Sequence, residues 1–207
     1  MPTILVTGFG PFPGAAYNPT GPLVHSLARL RKSAGATLKI VTHVFETSYD
    51  AVDRDLPALV KKHKPDALLM FGLAARRRKL SIETLARNSL GRTPDTQGRI
   101  PKAAKIDARG PASLPMATPA QALLAAARTA HVPVAISRNA GNYLCNYLCW
   151  QATQLIAPDG LHYAAFVHVP ALKPENRTTK VTRRIVDAEA LKKAGEAMVL
   201  ALASQIR

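Results

Sequence analysis

Short apolar runs alternate along this chain with longer stretches of helical periodicity, and that alternation limits the fold more than any other feature. Thr3 to Thr7 is a β-branched run stopped by Gly8, and it reads as a buried strand. Pro22 to Lys32 places Leu23, Leu27 and Leu30 at helical spacing, with Thr20 as a cap just ahead. Thr37 to Val44 reads as a second strand and Tyr49 to His63 as a second helix. Lys64-Pro65-Asp66 halts that helix before a third strand, Ala67 to Phe71. Further on, the pattern predicts helices at Pro119 to Thr129, about Asn142 to Ile156 and Asp187 to Ile206. Strands fall at Val132 to Ser137 and His162 to Val169. Between them, Ala74 to Leu114 shows no sustained period and reads as loops carried by the scaffold.

Strands followed by helices form βαβ units, which demand a mostly parallel sheet covered on both faces. The expected fold is therefore α/β, a three-layer sandwich around a central, twisted sheet. In such sheets ligands collect beyond the carboxyl ends of the strands. Gly8 to Gly14, Gly72 to Glu83, Asn139 to Cys145 and His168 all follow or end predicted strands, so they are expected to converge on one edge. No Gly/Ser-rich linker divides the 207 residues, and residues 1–207 are expected to form one domain.

Composition narrows the function classes. Hydrophobic residues make up 47% of the chain, which argues against extended disorder, and no apolar run approaches the roughly 18 residues of a membrane-spanning helix. The N-terminus lacks the basic stretch that opens a secretory signal, so a cytoplasmic location without membrane association is expected. The formal charge of +15 raises nucleic-acid binding as an alternative. However, the basic residues are dispersed (Arg29, Arg31, Lys32; Lys61, Lys62, Lys64; Arg76 to Lys79; Lys180, Arg183, Arg184; Lys192, Lys193). Aromatics, at 5%, are too scarce for base stacking, so a nucleic-acid partner is not the expectation.

The two cysteines, Cys145 and Cys149, lie four apart and share a helix face, but no second Cys/His cluster stands at ligand spacing, so neither metal nor disulfide is expected. Cys145 falls near the start of its helix, where partial positive charge and free N–H groups can lower a thiol pKa and receive an oxyanion. His168 ends an apolar strand just before Pro170, placed to exchange a proton with a thiol or to sit as a satisfied core histidine. Glu83, in an apolar segment behind Arg76 to Lys79, can orient an imidazole or pair at the surface with one of those cations. His25, His43, His63, His131 and His162 lack a comparable loop neighbour and carry no assigned role.

Five segments taken together, ILVTGFGPFPG…NP, ETLARN, GRTPD, RNAGNYLCN and FVHVP, resemble in order and spacing the signatures of pyroglutamyl peptidase I, the pyrrolidone carboxylate peptidase family of cysteine peptidases. That family shows TGFxPFGG followed by NPS or NPT, then ERVAxN, ARIPD, AGxxxCN and FxHVP. The resemblance implies an omega-peptidase that cleaves the amide after an N-terminal pyroglutamyl residue through an acyl-enzyme, with no cofactor and pyroglutamyl-blocked peptides as partners. It implies Cys145 as nucleophile, His168 as general base and Glu83 as its orienter. Phe9 and Phe12 would wall the lactam ring, with Asn18 also in the pocket. Arg92 would polarise the substrate, and backbone between Asn142 and Leu144, including Tyr143, would supply hydrogen bonds. Homodimers or tetramers are common in the family.

The chain also departs from that pattern. Gly72-Leu-Ala-Ala-Arg-Arg77 stands where the family has GQAGGR, Ala140-Gly141-Asn142 where it has AGT, and Thr84 where it has Arg. One residue is missing between Asn88 and Arg92. These changes surround the expected site and leave open a divergent or catalytically impaired member acting as a binding protein.

Overall fold

The computed structural model describes residues 1–30, 38–172 and 186–206; Arg31, Lys32, Lys180, Arg183 and Arg184 lie outside the described residues. Eight strands and five helices are described. Strands β1 (Thr3–Phe9), β2 (Lys39–Phe45), β3 (Ala67–Leu73), β4 (Leu80–Glu83), β7 (Val134–Ser137) and β8 (Tyr163–Val169) make a six-stranded sheet ordered β2-β1-β3-β8-β4-β7. Strands β5 (Leu85–Arg87) and β6 (Ser113–Pro115) form a separate antiparallel ladder. The helices are α1 (Thr20–Leu27), α2 (Tyr49–His63), α3 (Ala120–Thr129), α4 (Leu144–Gln154) and α5 (Ala188–Gln205).

Alternation along each strand splits the core into two layers. Ile4, Val6, Leu69, Phe71, Ile82 and Val167 pack with residues of α1, α3 and α5. Leu5, Leu68, Met70 and Phe166 pack on the opposite face with residues of α2 and α4. The three-layer α/β sandwich read from the sequence is therefore the observed architecture. Each fully buried Leu, Ile or Phe in these layers contributes about 1.5–3 kcal/mol relative to exposure, which outweighs the weak local preferences of strands this short.

Three local expectations are corrected. Helix α1 begins at Thr20, so Pro22 lies in its first turn, where a missing N–H costs nothing. Thr20 is not its cap: Pro19 holds that position with no side-chain bond, and Thr20 Oγ1 instead accepts from Phe9 N–H at 3.0 Å. The stretch read as loops contains β4, β5 and β6, each too short to show a period.

The third correction matters most for the site. Strand β4 runs antiparallel to β8, and β7 runs parallel to β4, so these two strands begin at the edge where β1, β3 and β8 end. Glu83 therefore stands opposite Phe166 rather than beyond His168. The expected segments do converge at the carboxyl ends of β1, β3 and β8, where Phe9, Phe12 and Cys145 line one pocket, and Glu83 reaches that place from a strand running the opposite way. Register partners point to the same face, and so do residues two apart on one strand. Hence Glu83, Phe166, His168 and Gly72, the register partner of His168, share a face.

Candidate active site

Helix α4 follows a turn through Gly141, which adopts φ +84°, a conformation that suits glycine. Tyr143 is extended and Leu144 opens the helix, so Cys145 sits in its first turn. The first intrahelical bond runs from Tyr147 N–H to Tyr143 C=O at 3.0 Å, leaving the N–H groups of Leu144, Cys145 and Asn146 without helical acceptors. Asn146, fully buried, anchors this turn: its amide oxygen accepts from Arg87 N–H at 2.8 Å and its amide nitrogen donates to Arg87 C=O at 2.7 Å and Ser89 C=O at 3.1 Å.

The sulfur of Cys145 rests against the backbone of β3. A methyl group on Gly72 would stand 2.7 Å from Cys145 Sγ and 2.6 Å from Phe166 Cζ, a spacing that only glycine accommodates. Because Gly72 pairs with His168, thiol and imidazole are brought to the same place on the sheet. The His168 ring packs edge-on against Phe166, with centroids 5.0 Å apart.

His168 Nδ1 lies 2.8 Å from Glu83 Oε1, with the two residues 4% and 0% exposed. The two sequence readings of Glu83 prove compatible. It holds the imidazole and also pairs with a cation of the preceding loop, since Arg77 Nη1 donates to the same oxygen at 2.6 Å, but the pair is interior rather than superficial. Asn139 N–H donates to the second oxygen at 3.0 Å. Burial acts to raise the Glu83 pKa, but hydrogen bonds from His168 and Ser137, with the charges of His168 and Arg77, outweigh it and hold the carboxyl below its usual value. Burial lowers the His168 pKa more than Glu83 raises it, and Arg77 adds to the lowering. The imidazole is neutral at pH 7. With Nδ1–H donated to the carboxylate, Nε2 is its basic nitrogen.

Position at a helix start does not make Cys145 a resting thiolate. Burial, followed by the charge of Glu83, pushes its pKa up to about 12, against the opposing effect of Arg77 and of its own N–H. Cys149 is fully enclosed, and burial pushes its thiol well above the ordinary value.

Beside Cys145 lies a pocket of about 270 Å³, counting its open mouth, lined by Phe9, Phe12, Asn18, Thr47, Leu73, Tyr143, Leu144 and Cys145. It brings together all the expected pocket residues except Arg92, which is exposed and outside the lining. Phe12 and Tyr143 stand with ring centroids 6.4 Å apart, and the Tyr143 hydroxyl donates to Pro94 C=O at 3.0 Å. Asn18 lines the pocket with its polar atoms largely committed. Its Nδ2 donates to Gly10 C=O at 2.9 Å, and its Oδ1 accepts from Thr20 N–H at 3.1 Å and Thr20 Oγ1 at 2.8 Å. Its observed work is to shape the loop.

Thr47, Arg77 and Ser137 were missed by sequence reasoning. Arg77 is one of four adjacent cations, and it alone of them falls on the Arg of the family's GQAGGR pattern, a match to which the sequence reading attached no role. Leu73 lines the pocket where the family pattern has Gln. Ala74 and Ala75 take no positive φ, so the loop avoids the conformation that alanine would resist. Among the described residues, no group of three or more His, Cys, Asp or Glu could hold a metal ion.

The wider relationships agree with this geometry. A family model described as Pyroglutamyl peptidase matches residues 2–206. Pyrrolidone-carboxylate peptidase 1 of Ralstonia nicotianae is 36% identical over 174 residues, covering 83% of this chain and 80% of that protein. The pyrrolidone-carboxylate peptidase of Thermococcus kodakarensis is 33% identical over 169 residues, covering 81% and 80%. The structure superposes on the pyrrolidone carboxyl peptidase of Thermococcus litoralis with a TM-score of 0.86 at 27% identity, covering 99% of this chain and 94% of that one. Pyroglutamyl peptidase I of Bacillus amyloliquefaciens gives 0.81 at 28% identity, covering 98% of each chain. By sequence and fold alike, the chain belongs to the pyroglutamyl peptidase family.

Proposed function

We infer that the protein is a cysteine omega-peptidase that hydrolyses the amide after an N-terminal pyroglutamyl residue, with Cys145 as nucleophile, His168 as general base and Glu83 as orienter. The observation that carries the reading is the 2.8 Å bond between His168 Nδ1 and the fully buried Glu83, on the face where Cys145 Sγ meets Gly72. A constellation kept only for binding has no need of a neutral imidazole fixed by an enclosed carboxylate.

In the proposed reaction the pyroglutamyl ring enters the pocket between Phe9, Phe12, Tyr143 and Leu144. The lactam carries no charge, so a largely apolar pocket suits it. As Sγ attacks the amide carbonyl, His168 Nε2 takes the thiol proton, and the imidazolium is stabilised by Glu83. Because Cys145 rests as a thiol, this transfer accompanies attack instead of preceding it. The oxyanion forms beside the free N–H groups opening α4; one such donor contributes about 2.7–4 kcal/mol elsewhere. Collapse breaks the C–N bond, and the departing amine takes the proton from His168. Water, deprotonated by the same imidazole, then attacks the thioester; the C–S bond breaks, pyroglutamate leaves, and His168 returns the proton to Cys145 Sγ.

We further read residues 1–207 as one domain of this kind, acting in the reducing cytosol as a homodimer or tetramer. Among the described residues, no helix is long and apolar enough to cross a membrane. The test is release of a fluorogenic amine from a pyroglutamyl amide under reducing conditions. Activity lost in Cys145→Ala and retained in Cys149→Ala supports the assignment; no turnover by the folded, reduced protein refutes it.

A further inference from the structure

Arg77 has no step in the reaction above, yet it makes two of the shortest contacts in the site. Its chain turns inward through a bond from Arg77 N–H to Ala74 C=O at 2.8 Å, while Arg76, Arg78 and Lys79 remain exposed. Nη1 donates to Glu83 Oε1, and Nη2 donates to Asn139 C=O, each at 2.6 Å. Asn139 N–H returns to Glu83 Oε2 at 3.0 Å. A guanidinium, a carboxylate and the main chain of Asn139 thus close a ring that joins the loop after β3, the end of β4 and the turn leading into α4.

We propose that Arg77 is a positioning residue: it fixes the Glu83 carboxylate toward His168 and ties that pair to the turn that delivers Cys145. The proposal rests on the reading of Cys145, His168 and Glu83 as the reacting set. Its physical basis is twofold. A planar fork can serve two acceptors at a fixed angle, whereas an ammonium concentrates its charge at one point. Glu83 alone would favour a protonated His168; burial is the main effect that opposes this, and the charge of Arg77, held 2.6 Å from the shared carboxylate oxygen, adds to it. The ionisable groups around the imidazole are Glu83 from β4, bonded to it; Arg77 from the loop after β3, bonded to the same carboxylate oxygen; and Cys145 from α4, whose sulfur meets Gly72, the register partner of His168.

Arg77→Met and Arg77→Lys should be compared with the unaltered protein by thermal melting, by the pH profile of kcat/KM and by NMR titration of the His168 ring in the free protein. For Arg77→Met the expected result is a folded protein with kcat lower by about 10- to 100-fold, as when a residue that orients a reacting group is lost. KM should change little, and the acid limb and the His168 titration should both move up by about half to one pH unit. Arg77→Lys should restore the acid limb while recovering only part of kcat, because a single ammonium does not rebuild the bond to Asn139; it also supplies the comparison if the Met variant does not fold. The proposal is overturned if Arg77→Met keeps full kcat/KM, if its activity falls equally at all pH values with the His168 titration unmoved, or if Arg77→Lys matches the unaltered kcat. Should the unaltered protein itself release no amine, the hydrolytic reading fails, and the His168 titration alone decides whether Arg77 acts on it.

Discussion

Glu83 and His168 are 85 residues apart in sequence and 2.8 Å apart in space, joined because β4 enters the sheet antiparallel to β8. Replacing Glu83 by Gln keeps the volume and removes the charge that holds the imidazole in one tautomer. The expected outcome is a fall in kcat of about 10²- to 10⁴-fold. Glu83→Ala should in addition destabilise the fold by about 3 kcal/mol, the low end for a broken interior pair, because Arg77 keeps some access to water. Steady-state kinetics and urea titration separate the two effects.

Stability should decline on acidification in two stages. The His168 pKa is lowered by folding, so below its unfolded value of 6.5 the unfolded chain binds the proton more readily, and stability falls from there down to the folded pKa. His43 is displaced in the same direction, first by burial, and adds to this limb. The Glu83 pKa is also lowered, so its contribution is complete above the unfolded value of 4.5 and is lost as pH falls through the folded one. Denaturant midpoints measured from pH 8 to pH 3 would show this; a midpoint that rises between pH 7 and pH 6 contradicts it.

Alkylation reports the resting state of the nucleophile. With its pKa pushed up to about 12, Cys145 should react slowly with iodoacetamide at pH 7. Its rate should rise about tenfold per pH unit above that, as the thiolate fraction grows. Cys149 should stay unlabelled in the folded protein. Mass spectrometry of timed samples distinguishes the two, and fast labelling of Cys145 independent of pH would mean that a thiolate–imidazolium pair exists before substrate binds.

Gly72→Ala places a methyl group within 2.7 Å of Sγ and 2.6 Å of Phe166. Displacement of either side chain should cost about 1–3 kcal/mol and at least tenfold in kcat/KM. Unchanged kinetics in this variant would show that the sulfur does not rest against β3.

Asn146→Ala removes three hydrogen bonds to the backbone of Arg87 and Ser89. Leaving these groups without partners should destabilise the protein by about 3 kcal/mol, or lower Tm by roughly 6–12 °C for a chain of this size. Calorimetry checks it.

Much of this is legible in the sequence. Helix α2 occupies the span its apolar spacing predicts, and α3 and α5 differ from their expected spans by one residue at one or both ends, since a periodic apolar stripe on a long element has few alternative ways to be buried. Cys145 and His168 are marked by their places at the ends of predicted elements, Glu83 by its apolar segment behind four cations, and all three by the motif order. Phe9, Phe12, Tyr143 and Leu144 came from that resemblance and do line one pocket. Arg92 came from it too and stands apart.

What the linear pattern determined was therefore the alternation of strand and helix, the two-faced core and the residue types available for chemistry, because these depend on periodicity and local conformation. Tertiary structure alone decided the direction of β4 and the bond that joins Arg77 to Glu83. It also committed the amide of Asn18 to its own loop and placed Cys145 in a half-buried setting at the pocket wall, where desolvation of the thiol outweighs the helix N-terminus. Strand direction in a four-residue segment leaves no periodic trace, and proton affinity depends on desolvation and on charges brought together from distant parts of the chain.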